Sequence, residues 1–515
     1  MVLALRVHSR TITAPASVLD LSAAAEAPGG DFALLHTAIG AGLSVLGRRP
    51  VLTFEAVRGG ETCRLTLAGV PPLTAALGVA WPRHSVTWPA TLDRWQQVLD
   101  AIAFRGPAVT DASGRCGAEA SGPSLPPIGW IGFISYDAGT MLELPGLFAD
   151  VPAPAPLLRW QLFQEYYLRH GSTDRWTLGC VNWELSRRAV RRQLDAMEHW
   201  VRAAAGAAAA DSPTVATLLE SPESERYQAM VRRALDYISA GDIYQANLAA
   251  PWVFQTAQSA GQIYRRLCRT NPARYAALLR WGDEAVVSIS PELFLHRRGT
   301  WLATRPIKGT RPRLTTDPAA DQAAARTLWD SGKDQAELAM IIDLLRNDLG
   351  RICRPGGRET GPALGVPSAT ASIEAAPSGV CVVARRQLEM LPTVWHTVAE
   401  IHGGLAPEKA SWSRIVAALC PGGSISGVPK IRAMQIIGEL EETPRGIYCG
   451  HIGWIGAGRA PAEGMLNIAI RTAHLRAGRL TLYGGAGIVA DSDPAEEYAE
   501  ICAKVTALLR GIRGA

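Results

Sequence analysis

The chain has 515 residues, 48% hydrophobic and 19% charged, with a formal net charge of +5. That length and apolar content suit two ordinary domains or one large composite domain with a substantial core. The positive residues are dispersed, with no dense Lys/Arg run and no arginine interleaved with aromatics, which argues against a nucleic-acid surface.

The opening "MVLALRVHSR" holds a short apolar run broken by Arg6 and does not read as a signal peptide. No stretch approaches the roughly 20 apolar residues of a membrane span. The nine cysteines are scattered without a CxxC pair, as expected of reduced thiols in a cytoplasmic protein. Up to about residue 200, strand-like runs such as "PVLTFEAV" (Pro50–Val57) and "IGWIGFISYD" (Ile128–Asp137) alternate with turns. The stretch "RAAAGAAAADSP" (Arg202–Pro213) reads as a helix tail followed by a linker. The resulting division is an N-terminal domain over 1–200, a linker over 201–224 and a C-terminal domain over 225–515. The last opens with a helix spaced through Tyr227, Met230, Val231, Ala234 and Ile238 and closed by Gly241.

Candidate chemistry lies beyond residue 225. In "SISPELF" (Ser288–Phe294), Pro291 ends a strand and leaves Glu292 just past it, where functional side chains often sit, though a surface glutamate reads equally well. In "TRPIKGTRPR" (Thr304–Arg313), Lys308 is one of only five lysines in the chain. Gly309 and Thr310 form a tight turn whose N–H groups can meet an anion. A desolvated lysine flanked by the cationic Arg305 and Arg311 can lose its proton and attack carbon, which an arginine cannot. A snorkelling surface lysine is the alternative.

In "KDQAELAMIIDLLRNDLGR" (Lys333–Arg351), an apolar stripe at helical spacing runs beside Glu337, either a rim carboxylate wanting a hard cation or an ordinary exposed glutamate. The segment Arg354–Gly379, rich in Gly, Pro, Ala and Ser, reads as a loop insertion. In "PGGSISGVPKIRAMQIIGELE" (Pro421–Glu441), glycines lead into a helix started by Pro429 and patterned through Ile431, Met434, Ile437 and Leu440. Such a helix start suits a carboxylate or phosphate, or is simply structural. From Asn467 to Val505 the pattern reads as a β-hairpin turning at about Arg476–Gly478. Leu466, Ile468 and Ile470 are expected on one face, opposite Asn467, Ala469 and Arg471. The second strand ends in Gly485-Ala486-Gly487, where backbone can approach a ligand closely. A helix capped by Asp493 then places Glu497, Glu500 and Lys504 on one stripe, either a solvated ion-pair face or a metal site.

Together these segments resemble the chorismate-utilising enzymes. "DLLRNDLGR", "GGSISGVPK" and "GGAGIVADSDPAEEYAE" are near-complete signatures of that family, and a weaker likeness covers about residues 10–180 through "LLHTA" and "GFISYDAG". The resemblance implies an α+β fold in which two antiparallel sheets pack as a sandwich with helices outside. It implies Mg²⁺ held by Glu337 and Glu500, with Glu497 close by through water. It implies Arg471, Tyr448, Lys504 and the Gly485-Ala486-Gly487 backbone as binders of the substrate carboxylates. Gly309, Thr310, Ser426 and His396 fall in the same pocket, and Glu292 matches the general acid that protonates the departing C4 hydroxyl.

Within the family, "PIKGT" with its Lys308 and the glutamine Gln245 of "DIYQANLA" resemble the aminodeoxychorismate-forming branch. There the lysine is thought to attack C2 of chorismate before ammonia attacks C4. Anthranilate, isochorismate and salicylate synthases carry alanine at the lysine position. The "LLHT" at Leu34–Thr37 departs from the "LLES" of tryptophan-inhibited anthranilate synthases. The chain has no glutaminase signature and no lyase extension, so ammonia is expected from a separate glutamine amidotransferase subunit.

Overall fold

A computed structural model describes residues 3–26, 30–37, 42–69, 86–109, 129–171, 173–182, 186–209, 216–356, 377–457 and 462–513. Most of the expected 354–379 insertion, residues 357–376, lies outside them. The fold is α+β. The strands among the described residues form one hydrogen-bonded network, antiparallel except where Leu3–Thr13 runs parallel to Ile102–Val109. The expected two separate sheets are therefore not what the hydrogen bonding draws. Strands of the first 200 residues add directly to the later ones: Phe32–His36 pairs with Tyr275–Trp281, and Gly129–Ile134 with His451–Gly456. Within 201–224, the helix Arg187–Ala203 ends and the strand Ala216–Glu220 pairs with the end of Gln245–Thr256.

Apolar side chains fill two clusters. One is dominated by aromatics of the N-terminal part, including Trp95, Trp130, Trp160 and Phe133, and extends to Leu338, Ile341 and Ile342 of the helix Gly332–Gly350. The other packs the helices Ser224–Ser239 and Pro494–Arg513 on the strands Gln245–Thr256 and Arg479–Ile488. Among the described residues no helix is long and apolar enough to cross a membrane, and the eight described cysteines are all unpaired.

The hairpin forms as expected from Thr472–Arg476 and Arg479–Ile488, with Ala477 and Gly478 both at positive φ, as a tight two-residue turn requires. The upstream alternation fails. The strand Glu463–Asn467 stops, and Ile468, Ala469 and Ile470 form an irregular corner before Arg471 at φ 49°. The helix Lys430–Glu441 buries Ala433, Met434, Ile436 and Ile437, whereas Ile431 is exposed, so its apolar face is rotated from the expected one.

A buried ion pair joins these parts. The Arg445 guanidinium donates to both carboxylate oxygens of Glu441 at 2.6 and 2.8 Å, and to the carbonyls of Ile425 and Asn247. Glu441 also accepts from the backbone of Ala249. The N-terminal part reaches the same point through Asp137, which accepts from the backbone N–H groups of Arg445 and Gly446 at 3.1 and 2.9 Å. Arg445→Met strands the Glu441 charge and should lower the unfolding free energy by about 3–5 kcal/mol. Pairing it with Glu441→Leu should recover much of that loss. Urea-unfolding midpoints of the two variants check this.

Candidate active site

Lys308 lies in the strand Ile307–Pro312, which pairs with Val394–Gly404 through a register shift between Ile307 and Thr310. Gly309 and Thr310 thus form a bulge in a strand rather than a tight turn. Gly309 sits at φ 84°, and a side chain there would strike the Asp334 carboxylate and Leu328. The bulge is held by Thr397, whose hydroxyl donates to the Lys308 carbonyl. The Lys308 ammonium is 3.7 Å from the carboxylate of Glu337, and both side chains are mostly buried. The expected flanking by arginines is not found. Arg305 is turned to Glu389 and Glu400, and Arg311 to Asp334.

Glu292 follows the strand Glu284–Ser290 and is buried. The corner is fixed by Ser290, whose hydroxyl lies between the backbone N–H of Glu292 and the carbonyl of Ile468. The Ser424 hydroxyl donates to Glu292 Oε1 at 2.9 Å. Burial pushes the Glu292 carboxyl up to about 7, while the Ser424 hydrogen bond and the Lys308 ammonium pull the other way. A carboxyl that keeps its proton near neutrality is thereby set near an amine.

The strand Arg479–Ile488 supplies one wall. Gly485 and Gly487 share a face, and Ala486 points oppositely into the core. A methyl group on Gly487 would collide with the Gln245 amide and lie 3.7 Å from Lys308 Nζ. One on Gly485 would lie 2.7 Å from the Tyr448 hydroxyl and 3.2 Å from Asn247 Oδ1. Tyr448 is itself stacked on Tyr483, with centroids 4.9 Å apart. The side-chain oxygens of Gln245 and Asn247 and both ring nitrogens of His396 are buried with no hydrogen-bond partner. Buried polar atoms are normally paired, so this wall offers free polar sites to a ligand. Burial, with Arg471 and Arg274 adding, drives the His396 imidazole down to about 3, so it is neutral at working pH. Burial also lowers the Arg471 guanidinium from its ordinary value.

Opposite lies an acidic group. Glu337 comes from one helix, and Glu497 and Glu500 from another. Burial raises the Glu337 carboxyl against the pull of Lys308 and Lys333, and Asp334 and Glu500 add to the rise. Burial also raises Glu497, opposed by the Ser492 hydroxyl at 2.6 Å. Burial pushes Glu500 the same way, but the Lys504 ammonium at 2.6 Å, then Lys333 and Lys308, hold it below its usual range. Lys504 also donates to the Gly485 carbonyl at 2.8 Å, tying this helix to the glycine wall. An all-oxygen, anionic donor set fits a hard divalent cation. Among the described residues no three Asp, Glu, His or Cys side chains gather at ion-binding spacing, so protein ligands alone do not complete a cage.

Most residues singled out by sequence are thus joined by contacts around Lys308 and the Gly485–Gly487 strand, and Arg471 acts on His396. Ser426 is the exception: its hydroxyl donates to the Gly422 carbonyl of its own loop. Ser424, two residues earlier, is the one that reaches Glu292. Asn247 and Lys333 were also missed. Both sit two to four residues from positions that were found, Gln245 and Glu337, on the same strand and helix.

The sequence profile of the chorismate binding enzyme family matches residues 111–370 and 368–510. The chain belongs to this family. The matched span holds every residue of the pocket, from Gln245 to Lys504. An anthranilate synthase component I-like protein of Synechocystis is 34% identical over 394 residues, 75% of this chain and 73% of that protein. Aminodeoxychorismate synthase component 1 of Klebsiella aerogenes is 33% identical over 397 residues, 75% of this chain and 78% of that one. The crystal structure of anthranilate synthase component I from Streptococcus pneumoniae aligns at a TM-score of 0.67 and 26% identity, covering 92% of this chain and 93% of that chain. The chain is therefore a chorismate-utilising enzyme of the anthranilate and aminodeoxychorismate synthase group.

The raised Glu292 carboxyl has a stability signature. Its contribution is full below the ordinary value of 4.5 and is lost as pH rises through about 7. Glu292→Gln, which keeps a partner for Ser424, should therefore melt higher than the parent at pH 8, with the gap closing toward pH 5. Equal melting temperatures at pH 8 would show that the carboxyl is not destabilised by burial.

Proposed function

We propose that the chain is aminodeoxychorismate synthase component I, which converts chorismate and ammonia to 4-amino-4-deoxychorismate on the route to 4-aminobenzoate and folate. The observation that carries this reading is a buried lysine, Lys308, whose charge acts on a buried carboxyl that holds its proton near neutrality, Glu292. Protonating a poor leaving group and attacking a ring carbon call for an acid that holds its proton and an amine in the same site.

In this reading the neutral Lys308 amine adds to C2 of chorismate, both conjugated ring double bonds shift, and the C4 hydroxyl leaves as water with the Glu292 proton. The lysine nitrogen, now a charged secondary amine, is a good leaving group. Ammonia attacks C4, both double bonds shift back, and Lys308 departs as a neutral amine. The new C4 ammonium returns its proton to Glu292. Two displacements put nitrogen para to the ring carboxylate. Arg471, Tyr448 and the Gly485–Gly487 backbone hold the substrate carboxylates, while Gln245 leaves this wall without a base that would activate water. Mg²⁺, held by Glu337 and Glu500 with Glu497 alongside, would neutralise the ring carboxylate when bound. Ammonia comes from a separate glutamine amidotransferase subunit, a separate lyase removes pyruvate, and the work is cytoplasmic.

Anthranilate synthase component I is the competing reading, supported by relatives of that name such as that of Haloarcula marismortui at 36% identity. Incubation with chorismate, Mg²⁺ and an ammonium salt decides between them. The expected product is 4-amino-4-deoxychorismate, turned into 4-aminobenzoate by added lyase; direct appearance of anthranilate sinks the proposal. Glutamine alone should not support turnover, and excess EDTA should abolish it until Mg²⁺ is restored. Glu292→Gln should lower kcat by roughly 10²–10⁴-fold, the usual range for a general acid.

A further inference from the structure

The chain has 52 basic residues, and only five of them are lysines. Three of those five sit one to one on the carboxylates of the acidic group. Lys308 is 3.7 Å from Glu337, Lys333 is 3.7 Å from Glu497, and Lys504 is 2.6 Å from Glu500. Lys308 and Lys504 have other work in the pocket, as nucleophile and as tie to the Gly485 carbonyl. Lys333 has none. Its side chain is half exposed, at 51%, and its ammonium lies over a Glu497 carboxylate that is only 5% exposed. It also acts on Glu337 and Glu500, so its one charge serves all three carboxylates.

We propose that Lys333 is a displaceable counter-ion, which neutralises the acidic group from the solvent side and is expelled into water when the divalent cation binds. The choice of lysine in an arginine-rich chain follows from this. An ammonium is a point charge with one contact on a flexible stem, much as a small cation would be. A guanidinium would grip the carboxylate with a planar two-point fork and resist displacement. The anchorage of Glu497 is independent of Lys333, because the Ser492 hydroxyl holds the same carboxylate at 2.6 Å. Expelling the lysine therefore leaves the ligand in position. The helix start that carries Lys333 is held separately by the Ser331 cap on the Asp334 N–H. Three ammoniums on three carboxylates keep the cluster near charge balance without the metal, and the metal takes over the charge that Lys333 gives up.

This inference rests on the metal site named under the proposed function, and the test separates the two. Mg²⁺ is titrated calorimetrically into the full-length parent, Lys333→Gln, Lys333→Arg and Glu337→Gln. Removing the competitor should tighten Mg²⁺ binding by about 5-fold in Lys333→Gln, the scale of a half-exposed ion pair. Lys333→Arg keeps the charge but should bind Mg²⁺ more weakly than the parent. In parallel, the parent is labelled with an amine-acylating reagent with and without Mg²⁺ and mapped by peptide mass spectrometry. Labelling of Lys333 should rise several-fold with Mg²⁺. If Glu337→Gln binds Mg²⁺ as the parent does, the metal site itself is misassigned. If Glu337→Gln loses binding while Lys333→Gln binds no tighter, or Lys333 labelling does not rise, the counter-ion role is overturned. Equal affinity in Lys333→Arg and the parent would reduce Lys333 to a background field and overturn displacement.

Discussion

A carboxyl group buried without a full counter-charge is the constraint on which the rest of the pocket turns. Glu292 receives hydrogen bonds from the Ser424 hydroxyl and the Ile307 backbone N–H, and feels one ammonium, from Lys308. These do not offset its burial, so the group stays a proton donor near neutral pH. The surrounding structure is arranged to keep it so. Ser290 pins the backbone at the corner, and Phe294, two residues on, stacks on His451 with centroids 3.6 Å apart. Burial, partly offset by the Asn467 carbonyl, drives that imidazole down to about 3, so it brings no charge close to the acid.

The pocket is assembled from distant parts of the chain by a small number of stiff joints. The Arg445–Glu441 pair binds a strand, a helix and the loop that presents Ser424, and Asp137 of the N-terminal part docks on the same point. Burial pushes the Asp137 carboxyl up to about 6, even though two backbone N–H groups hold it. The N-terminal part thus supports this joint through Asp137. Lys430, buried on Asp348 at 2.5 Å, braces the other end of the same loop. Charge inside this protein is thus used in two ways: paired and rigid where it builds the scaffold, and partly unpaired where it faces the pocket.

Local periodicity made much of this legible. The hairpin at Thr472–Ile488 and the helix Pro494–Arg513 follow from alternation, a two-residue turn and an aspartate cap, all short-range signals. Glu497 and Glu500 stood out because they sit in a near-complete family signature, and Glu292, Lys308 and Glu337 through the shorter stretches "SISPELF", "PIKGT" and "KDQAELAM" of the same resemblance. What was not legible has no local cause. Ser424 and Ser426 are two residues apart in an irregular loop, and only the tertiary packing of Pro421–Pro429 decides which one meets Glu292. Arg471 at φ 49° breaks an alternation that sequence reads as continuous. The joining of the N-terminal strands to the later ones rests on contacts such as Leu34 with Leu278, whose partners lie more than 200 residues apart. The turn of Arg305 to Glu389 and Glu400, and of Arg311 to Asp334, depends on residues that no nearby pattern announces.

In the proposed reaction Lys308 acts as an amine and not as a charge. Intact-protein mass spectrometry after incubation with chorismate and Mg²⁺, with ammonia withheld, tests it most directly. The account predicts an adduct with the mass of chorismate less one water, mapped to Lys308, discharged on adding ammonia and absent from Lys308→Arg. A Lys308→Arg enzyme that turns over normally and a parent that never carries the adduct would contradict it.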